Sequence, residues 1–240
     1  MLLFYIRHGE PIYDPNRLTP LGERQAEALA RRLARYGLDE IYVSPSHRAR
    51  QTAEPTQELL HLTPTVLDWC NEDLAWGEFT VADAEGHRRW VYQDAEARKL
   101  LVSPEIAALG DDWYRHDYFR SHACGDGTAR IRANAYAFLE SLGYRFNPAS
   151  RTYTAVAPNE KRVALFAHEG FGMAFLSSVL GIPYPLFSTH MGLGHSSMTV
   201  IRFANSTTDT EVIPEMLQLS NDSHLYAENL PTRYNGETPI

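Results

Sequence analysis

The sequence predicts an α/β fold: a three-layer α/β/α sandwich with a mainly parallel central sheet and an inserted cap region. Three observations carry this. The opening run Leu2-Leu3-Phe4-Tyr5-Ile6 is apolar without alternation, as a strand buried on both faces would be, and the pattern returns at Val163-Ala164-Leu165-Phe166-Ala167. Up to about residue 67, strand-like and helix-like segments alternate as βαβαβ, which calls for right-handed crossovers and helices on both faces of a parallel sheet. The 240 residues, with ordinary apolar and charged fractions, are enough for one domain with a substantial core, spanning 1–240 with an insertion at about 71–126.

Each element has its own signal. The first strand stops at Arg7-His8-Gly9-Glu10, and a polar, proline-containing loop follows over residues 11–18. Thr19-Pro20 opens a helix, with Thr as N-cap and Pro at the first helical position. Ala26, Leu29, Ala30 and Leu33 recur at helical spacing, and Gly37 closes the last turn. Ile41-Tyr42-Val43 reads as a short strand, Ser46 as the cap of a helix over residues 47–60, and Thr65-Val66-Leu67 as a third strand. Pro55 sits awkwardly inside that second helix, since it removes a donor.

The rhythm breaks over residues 71–126, which are dense in Trp, Tyr, His and Arg. Helical pieces are expected at residues 84–101 and 103–109, in an insertion that either folds over the sheet edge or adds a packing layer. Beyond it come a helix at 128–142, a β-hairpin at 144–157 turning at Asn147-Pro148, the strand at 162–167, and a helix at 171–180. Two further strands follow at 197–203 and 211–219. The polar tail after residue 225 reads as irregular.

Composition narrows the function. A net charge of -8 argues against nonspecific nucleic-acid binding. No apolar run reaches membrane-spanning length, and Arg7 and Glu10 interrupt the only N-terminal apolar stretch, against a signal peptide. Two cysteines, Cys70 and Cys124, make no disulfide framework, so a reducing, cytoplasmic setting is expected. His190 and His195 read as a structural or cap-lining loop pair. No His-Glu-x-x-His helix or clustered Cys/His spacing points to a metal, and no cofactor is expected.

The chemistry gathers at strand ends. Ile6 leads to Arg7-His8-Gly9, Ala167 leads to His168-Glu169-Gly170, and Val43 leads into a helix with Arg48 in its first turn. In a parallel sheet, sites form at the carboxyl edge of the strands. Two imidazoles, at least two guanidiniums and a helix N-terminus would share one crevice there, a set suited to a phosphoryl group. A histidine in such a crevice can serve as a nucleophile.

Four stretches together resemble the histidine phosphatase superfamily, the phosphoglycerate mutase-like group. They are Arg7-His8-Gly9-Glu10; Leu18-Thr19-Pro20-Leu21-Gly22-Glu23-Arg24-Gln25-Ala26; Ser44-Pro45 with Arg48-Ala49 and Gln51-Thr52-Ala53; and His168-Glu169-Gly170. Asn221-Asp222-Ser223-His224-Leu225 resembles the family's C-terminal strand region. The resemblance implies that His8 is the nucleophile, forming a phosphohistidine. Arg7, Arg48 and His168 would complete the phosphate pocket, with Asn16 of the first loop as a further phosphate-contacting residue. A Glu or Asp after the third strand would be the general acid: Glu72 matches best, with Asp73 and Glu78 open.

The leading expectation is therefore a metal-independent phosphomonoesterase acting on a small phosphorylated metabolite. Family mutases carry an Arg-Arg-Ser-Tyr/Phe-Asp run, whereas this chain has Arg88-Arg89-Trp90-Val91-Tyr92. A cofactor-dependent phosphoglycerate mutase and a catalytically weak phospho-ligand binder remain the alternatives. Arg88, Arg89, Trp113, Tyr114, Arg115 and His116 are the candidates for substrate contact from the insertion.

Overall fold

The computed structural model describes residues 1–82, 85–208 and 210–235. Six strands form the central sheet: β1 (Leu2–Arg7), β2 (Glu40–Val43), β3 (Thr65–Val66), β4 (Arg162–Ala167), β5 (Met198–Arg202) and β6 (Glu215–Asn221). Their spatial order is β6-β5-β1-β4-β2-β3. β1 to β4, β4 to β2 and β2 to β3 are parallel pairings, while β5 and β6 run antiparallel at one edge. The sheet is thus mainly parallel, with β1 and β4 at its middle, as the two unbroken apolar runs predict.

The helices are α1 (Pro20–Tyr36), α2 (His47–Leu60), α3 (Glu72–Glu78), α4 (Ala95–Leu101), α5 (Pro104–Leu109), α6 (Cys124–Ser141), α7 (Glu169–Leu180), α8 (Tyr184–His190) and α9 (Ser223–Ala227). Alternate residues of β1 supply the two core faces. Phe4 and Ile6 pack with Leu29 and Leu33 of α1 and Ala49 and Ala53 of α2. Leu3 and Tyr5 pack with Ile131 and Phe138 of α6 and Phe171 and Phe175 of α7. A strand with no polar side to offer needs helices on both faces, and that requirement makes the three layers.

Local signals account for most element ends. Thr19 accepts a hydrogen bond from the Gly22 amide, Pro20 is the first helical residue, and Gly37 at φ 71° ends α1. Ser46 stands at the N-cap position of α2 by its backbone, but its side chain makes no cap bond and its buried Oγ has no partner among the described residues. Pro55 stands inside α2 without ending it. The hairpin at Tyr144–Asn147 and Thr152–Ala155 forms as expected.

Three expectations need correction. The helix expected over 84–101 begins only at Ala95, capped by Asp94. Before it, Arg88–Trp90 pairs antiparallel with Thr80–Ala82, where Thr80, Val81 and Trp90 are strand-favouring residues. The strand expected over 211–219 is two strands in two sheets. Glu211–Val212 joins the hairpin at Thr152–Ala155 and Glu215–Asn221 joins β5, because Pro214 between them has no N–H for a ladder. The tail after residue 225 is not wholly irregular, since α9 runs to Ala227.

Residues 71–126 mostly extend the core on the α6–α7 side. Phe79, Trp113 and Phe119 are wholly buried within the same apolar cluster as Phe171 and Phe175. Trp113 stacks on Tyr184 of α8 with ring centroids 5.0 Å apart. The aromatic density of this stretch is largely core, and α3 with the Trp90 region is the part that faces the site.

The carboxyl end of β1 is fixed by contact with α1. A Cβ at Gly22 would meet the Glu10 carbonyl oxygen at 2.2 Å, and one at Gly9 would meet the Gly22 carbonyl oxygen at 2.7 Å. The two glycines permit a backbone approach that no side chain allows. Gly22→Ala should therefore destabilise the fold by roughly 1–3 kcal/mol, as overpacking does. Urea unfolding of the variant beside the parent chain measures this, and an unchanged midpoint would mean that the close approach is not needed.

Candidate active site

The carboxyl ends of β1, β4 and β2 lie side by side and deliver Arg7-His8, His168 and Ser44 to one edge. The backbone there is cross-tied: the His8 amide donates to the Ala167 carbonyl at 3.0 Å and the Ser196 amide to the His8 carbonyl at 3.0 Å. The sequence motifs act largely as struts. The Glu10 amide donates to Gln25 Oε1 (2.8 Å), the Leu18 amide to Gln51 Oε1 (2.8 Å), and the Gly9 amide to Thr52 Oγ1 (2.9 Å). Thr52 Oγ1 in turn donates to the Arg48 carbonyl at 2.8 Å. Gln25, Gln51 and Thr52 thus hold the loops that carry His8, Asn16 and Arg48.

A cavity of about 730 Å³ opens over this edge. Arg7, His8, Asn16, Arg48 and Glu72 line it, as does Asp73. Its outer wall adds Tyr13, Trp76, Trp90 and Gln93, with Glu169 and Asn235 beside Arg7. His168 lies just behind His8, with ring centroids 5.3 Å apart, and is wholly buried. The predicted set is therefore brought together by residues far apart in sequence.

His8 has one ring nitrogen committed. Its Nδ1 is 2.7 Å from the Gly9 carbonyl oxygen, which fixes Nδ1 as the protonated nitrogen and leaves the Nε2 lone pair to the cavity. Burial, aided by His168, Arg7 and Arg48, holds this imidazole well below the ordinary histidine value, so it is neutral at pH 7. His168 is shifted the same way by burial and then by Arg48 and Arg7. Its Nε2 is 2.7 Å from Ser44 Oγ, and its Nδ1 is buried without a protein partner among the described residues.

The guanidiniums differ in their ties. Arg48 donates from Nη1 to Asn16 Oδ1 at 3.1 Å and lies 5.4 Å from the Tyr13 ring centroid. Arg7, at 1% exposure, bonds to the Leu193 carbonyl and to Asn235 Oδ1, and its Nη2 is 2.8 Å from His195 Nε2. Its Nη1 also faces Glu169 Oε2 at 3.3 Å.

Among the three candidate acids the geometry separates the roles. Glu72 Oε1 accepts from the Gly170 amide at 2.9 Å and Oε2 from the Phe171 amide at 2.8 Å, so its carboxyl seats on the N-terminus of α7 beside His168. Burial nevertheless outweighs those bonds and the nearby Arg48, and pushes its pKa up to about 7. Asp73 is exposed on the cavity wall. Glu78 is held by Arg130 at 2.6 Å through both oxygens and does not line the cavity.

Other sequence candidates fall away. Trp113 is core, Arg115 pairs with Asp112 at 3.4 Å, and Arg88 bonds to Thr80 Oγ1 at 2.8 Å. None of Arg88, Arg89, Trp113, Tyr114, Arg115 or His116 is among the residues that line the cavity. The insertion contributes α3 and the Trp90–Gln93 segment instead.

His195 is the residue that sequence reading undervalued. It stacks near His8 with centroids 5.9 Å apart, and burial with Arg7 pushes its pKa down to about 2. His190, its supposed companion, is exposed at the end of α8. The available signal was topological: an antiparallel neighbour of β1 begins where β1 ends, so the residues just before β5 must lie at the site. Asn235 had no such signal.

Among the described residues no group of three or more His, Cys, Asp or Glu side chains is placed to hold a metal ion, and no helix is long and apolar enough to cross a membrane. A neutral imidazole, two guanidiniums and a carboxyl whose pKa burial raises gather around one cavity at the carboxyl edge of the sheet. Residues 3–214 match the histidine phosphatase superfamily (branch 1), and the chain belongs to that family. It is an enzyme of the histidine-phosphatase fold acting on small phosphorylated metabolites.

Similar proteins fit this assignment. A chain from Yersinia enterocolitica, named a probable phosphoglycerate mutase GpmB, is 25% identical over 176 residues, 67% of this chain and 78% of that one. A chain from Hydrogenobacter thermophilus, provisionally named phosphoserine phosphatase 2, is 32% identical over 108 residues, 41% of this chain and 50% of that one. The crystal structure of a phosphoserine phosphatase variant from Entamoeba histolytica with phosphoserine superposes with a TM-score of 0.60 at 16% identity, covering 93% of this chain and 98% of that one.

The Thr52 strut yields a test. Thr52→Val leaves the buried Gly9 amide without its acceptor and should cost about 1–3 kcal/mol, while Thr52→Ser should recover most of it. Denaturant unfolding of both variants reads this directly; equal stabilities for Val and Ser would show that the hydroxyl is idle.

Proposed function

We propose that this enzyme is a phosphomonoesterase that works through a phosphohistidine on His8. One observation carries the reading: His8 is neutral and spends Nδ1 on the Gly9 carbonyl, so Nε2 is available to the cavity as a nucleophile. The Nε2 lone pair attacks phosphorus as the P–O bond to the substrate breaks. The electron pair goes to the leaving oxygen, which takes the proton of Glu72. A water then attacks phosphorus as Glu72 accepts its proton; the P–N bond breaks, its electron pair returns to Nε2, and phosphate leaves with His8 regenerated.

Arg7 and Arg48 would stabilise the equatorial oxygens, with His168 Nδ1 and Asn16 as further polar contacts. Glu72 suits both halves of the cycle, since a carboxyl with a pKa of about 7 divides evenly between acid and base near neutrality. The same carboxyl weighs against a mere phospho-ligand binder. A phosphatase is favoured over a mutase because the cavity offers no guanidinium beyond Arg7 and Arg48, among the described residues, to grip a sugar-acid carboxylate.

Three outcomes are expected. His8→Ala should lower turnover by several orders of magnitude and abolish the alkali-stable phosphoenzyme trapped with labelled substrate. A persistent phosphoenzyme would move the nucleophile elsewhere.

Glu72 must be protonated for the first step, and that form is present below its pKa and lost as pH rises through it. Thus kcat/KM for alkyl phosphates should decline above pH of about 7. The acid-side limb, from His8, should lie well below the ordinary histidine value. Glu72→Gln should slow alkyl phosphates about 10²–10⁴-fold and nitrophenyl phosphate little, since nitrophenolate leaves without a proton. Equal losses on both would assign Glu72 another role.

With 3-phosphoglycerate and a trace of 2,3-bisphosphoglycerate, free phosphate should accumulate rather than 2-phosphoglycerate. Rapid isomerisation with little phosphate release would make the enzyme a mutase.

A further inference from the structure

We infer that the outer cavity selects phosphomonoesters whose alcohol carries a positive charge, an amine or a quaternary ammonium. This rests on the phosphatase reading above and concerns the leaving group. The cations of the cavity, Arg7 and Arg48, both belong to its phosphoryl end, and Arg7 is already faced by Glu169 at 3.3 Å. The wall beyond them holds a carboxylate and aromatic rings. Asp73 and Trp76 stand three positions apart on α3, hence on one helical face, and both line the cavity. Asp73 has no ion-pair partner among the described residues.

Two of these rings stay partly exposed. Trp76 and the buried Trp90 meet at 84° with centroids 5.0 Å apart, and Trp76 remains 37% exposed. Tyr13, on the first loop, is 61% exposed, although Arg48 already lies 5.4 Å from its ring centroid. Aromatic faces attract cations, and a carboxylate beside them adds a counter-ion. The basic residues that might have reversed this are turned elsewhere. Arg88 bonds to the Trp76 and Gly77 carbonyls at 3.3 and 3.2 Å, and Arg98 to the Thr189 carbonyl at 2.8 Å. A second anionic group on the substrate would therefore meet Asp73, opposed only by Arg48 from the phosphoryl end, whereas an ammonium group would meet a carboxylate and an indole.

The test compares choline phosphate with 3,3-dimethylbutyl phosphate, which has the same shape without the charge, and with 3-phosphoglycerate. Nitrophenyl phosphate serves as the activity control. The expected kcat/KM for choline phosphate exceeds that of each competitor by about tenfold or more, the scale of one cation–aromatic contact with a counter-ion. Asp73→Asn should lower the choline-to-dimethylbutyl ratio severalfold, and Asp73→Lys should favour 3-phosphoglycerate. A wild-type ratio near one, a preference for 3-phosphoglycerate, or a ratio unchanged in Asp73→Asn overturns the inference. If nitrophenyl phosphate is also left intact, the phosphatase reading fails. Calorimetric binding of the same three esters to the His8→Ala chain then decides the charge preference by itself, and must give the same order.

Discussion

The buried guanidinium of Arg7 is the constraint on which the site depends. A charge at 1% exposure is costly unless paired and hydrogen-bonded, and Arg7 meets that demand by drawing in separate parts of the chain. Glu169 comes from the start of α7, the Leu193 carbonyl and His195 from the approach to β5, and Asn235 from the tail. Asn235 also donates to Glu169 Oε2 at 2.7 Å, so the carboxylate and the guanidinium share a neighbour. The network leaves Arg7 Nε without a partner among the described residues. Two positive neighbours, Arg7 and Arg48, then help to keep both imidazoles of the site neutral.

A second balance sets the acid. Glu72 sits on the N-terminus of α7, a position that favours the carboxylate, in surroundings that favour the protonated form. Burial wins by enough to bring the group near neutrality and no further, because two amides and Arg48 hold it back. The same helix therefore tunes the acid from its first turn and, through Glu169, pairs the phosphoryl-end cation. α7 is the electrostatic hub of the pocket as well as a core helix.

How much of this was legible follows from the range of the forces involved. Strand ends are written locally, so β1, β2 and β4 and their terminal residues Arg7, His8, Ser44 and His168 could be read directly. Thr19, Pro20 and Gly37 bound α1 by backbone rules that act within a turn. Residues 71–126 were less legible because aromatic density reads alike in core and in a binding wall; only packing separates Trp113 from Trp76. Arg88 and Arg115 looked like substrate contacts for a similar reason, as a charge does not announce which carbonyl or carboxylate will claim it. His195 and Asn235 act through partners more than 180 positions away, beyond any local pattern.

The central position of β1 has a consequence for how the protein comes to fold. β1 is the first strand of the chain, yet its parallel neighbour β4 and its antiparallel neighbour β5 come late; Tyr5 and His168, which bond across this seam, are 163 positions apart. During synthesis the apolar run Leu2–Arg7 therefore emerges long before either flanking strand exists. It waits with unpaired edges and two apolar faces, which are features that invite association with other chains. The helices α1 and α2 can cover only the face of Phe4 and Ile6 in that interval. The arrangement that places the site at the middle of the sheet thus also makes its completion wait on long-range closure with late segments of the chain.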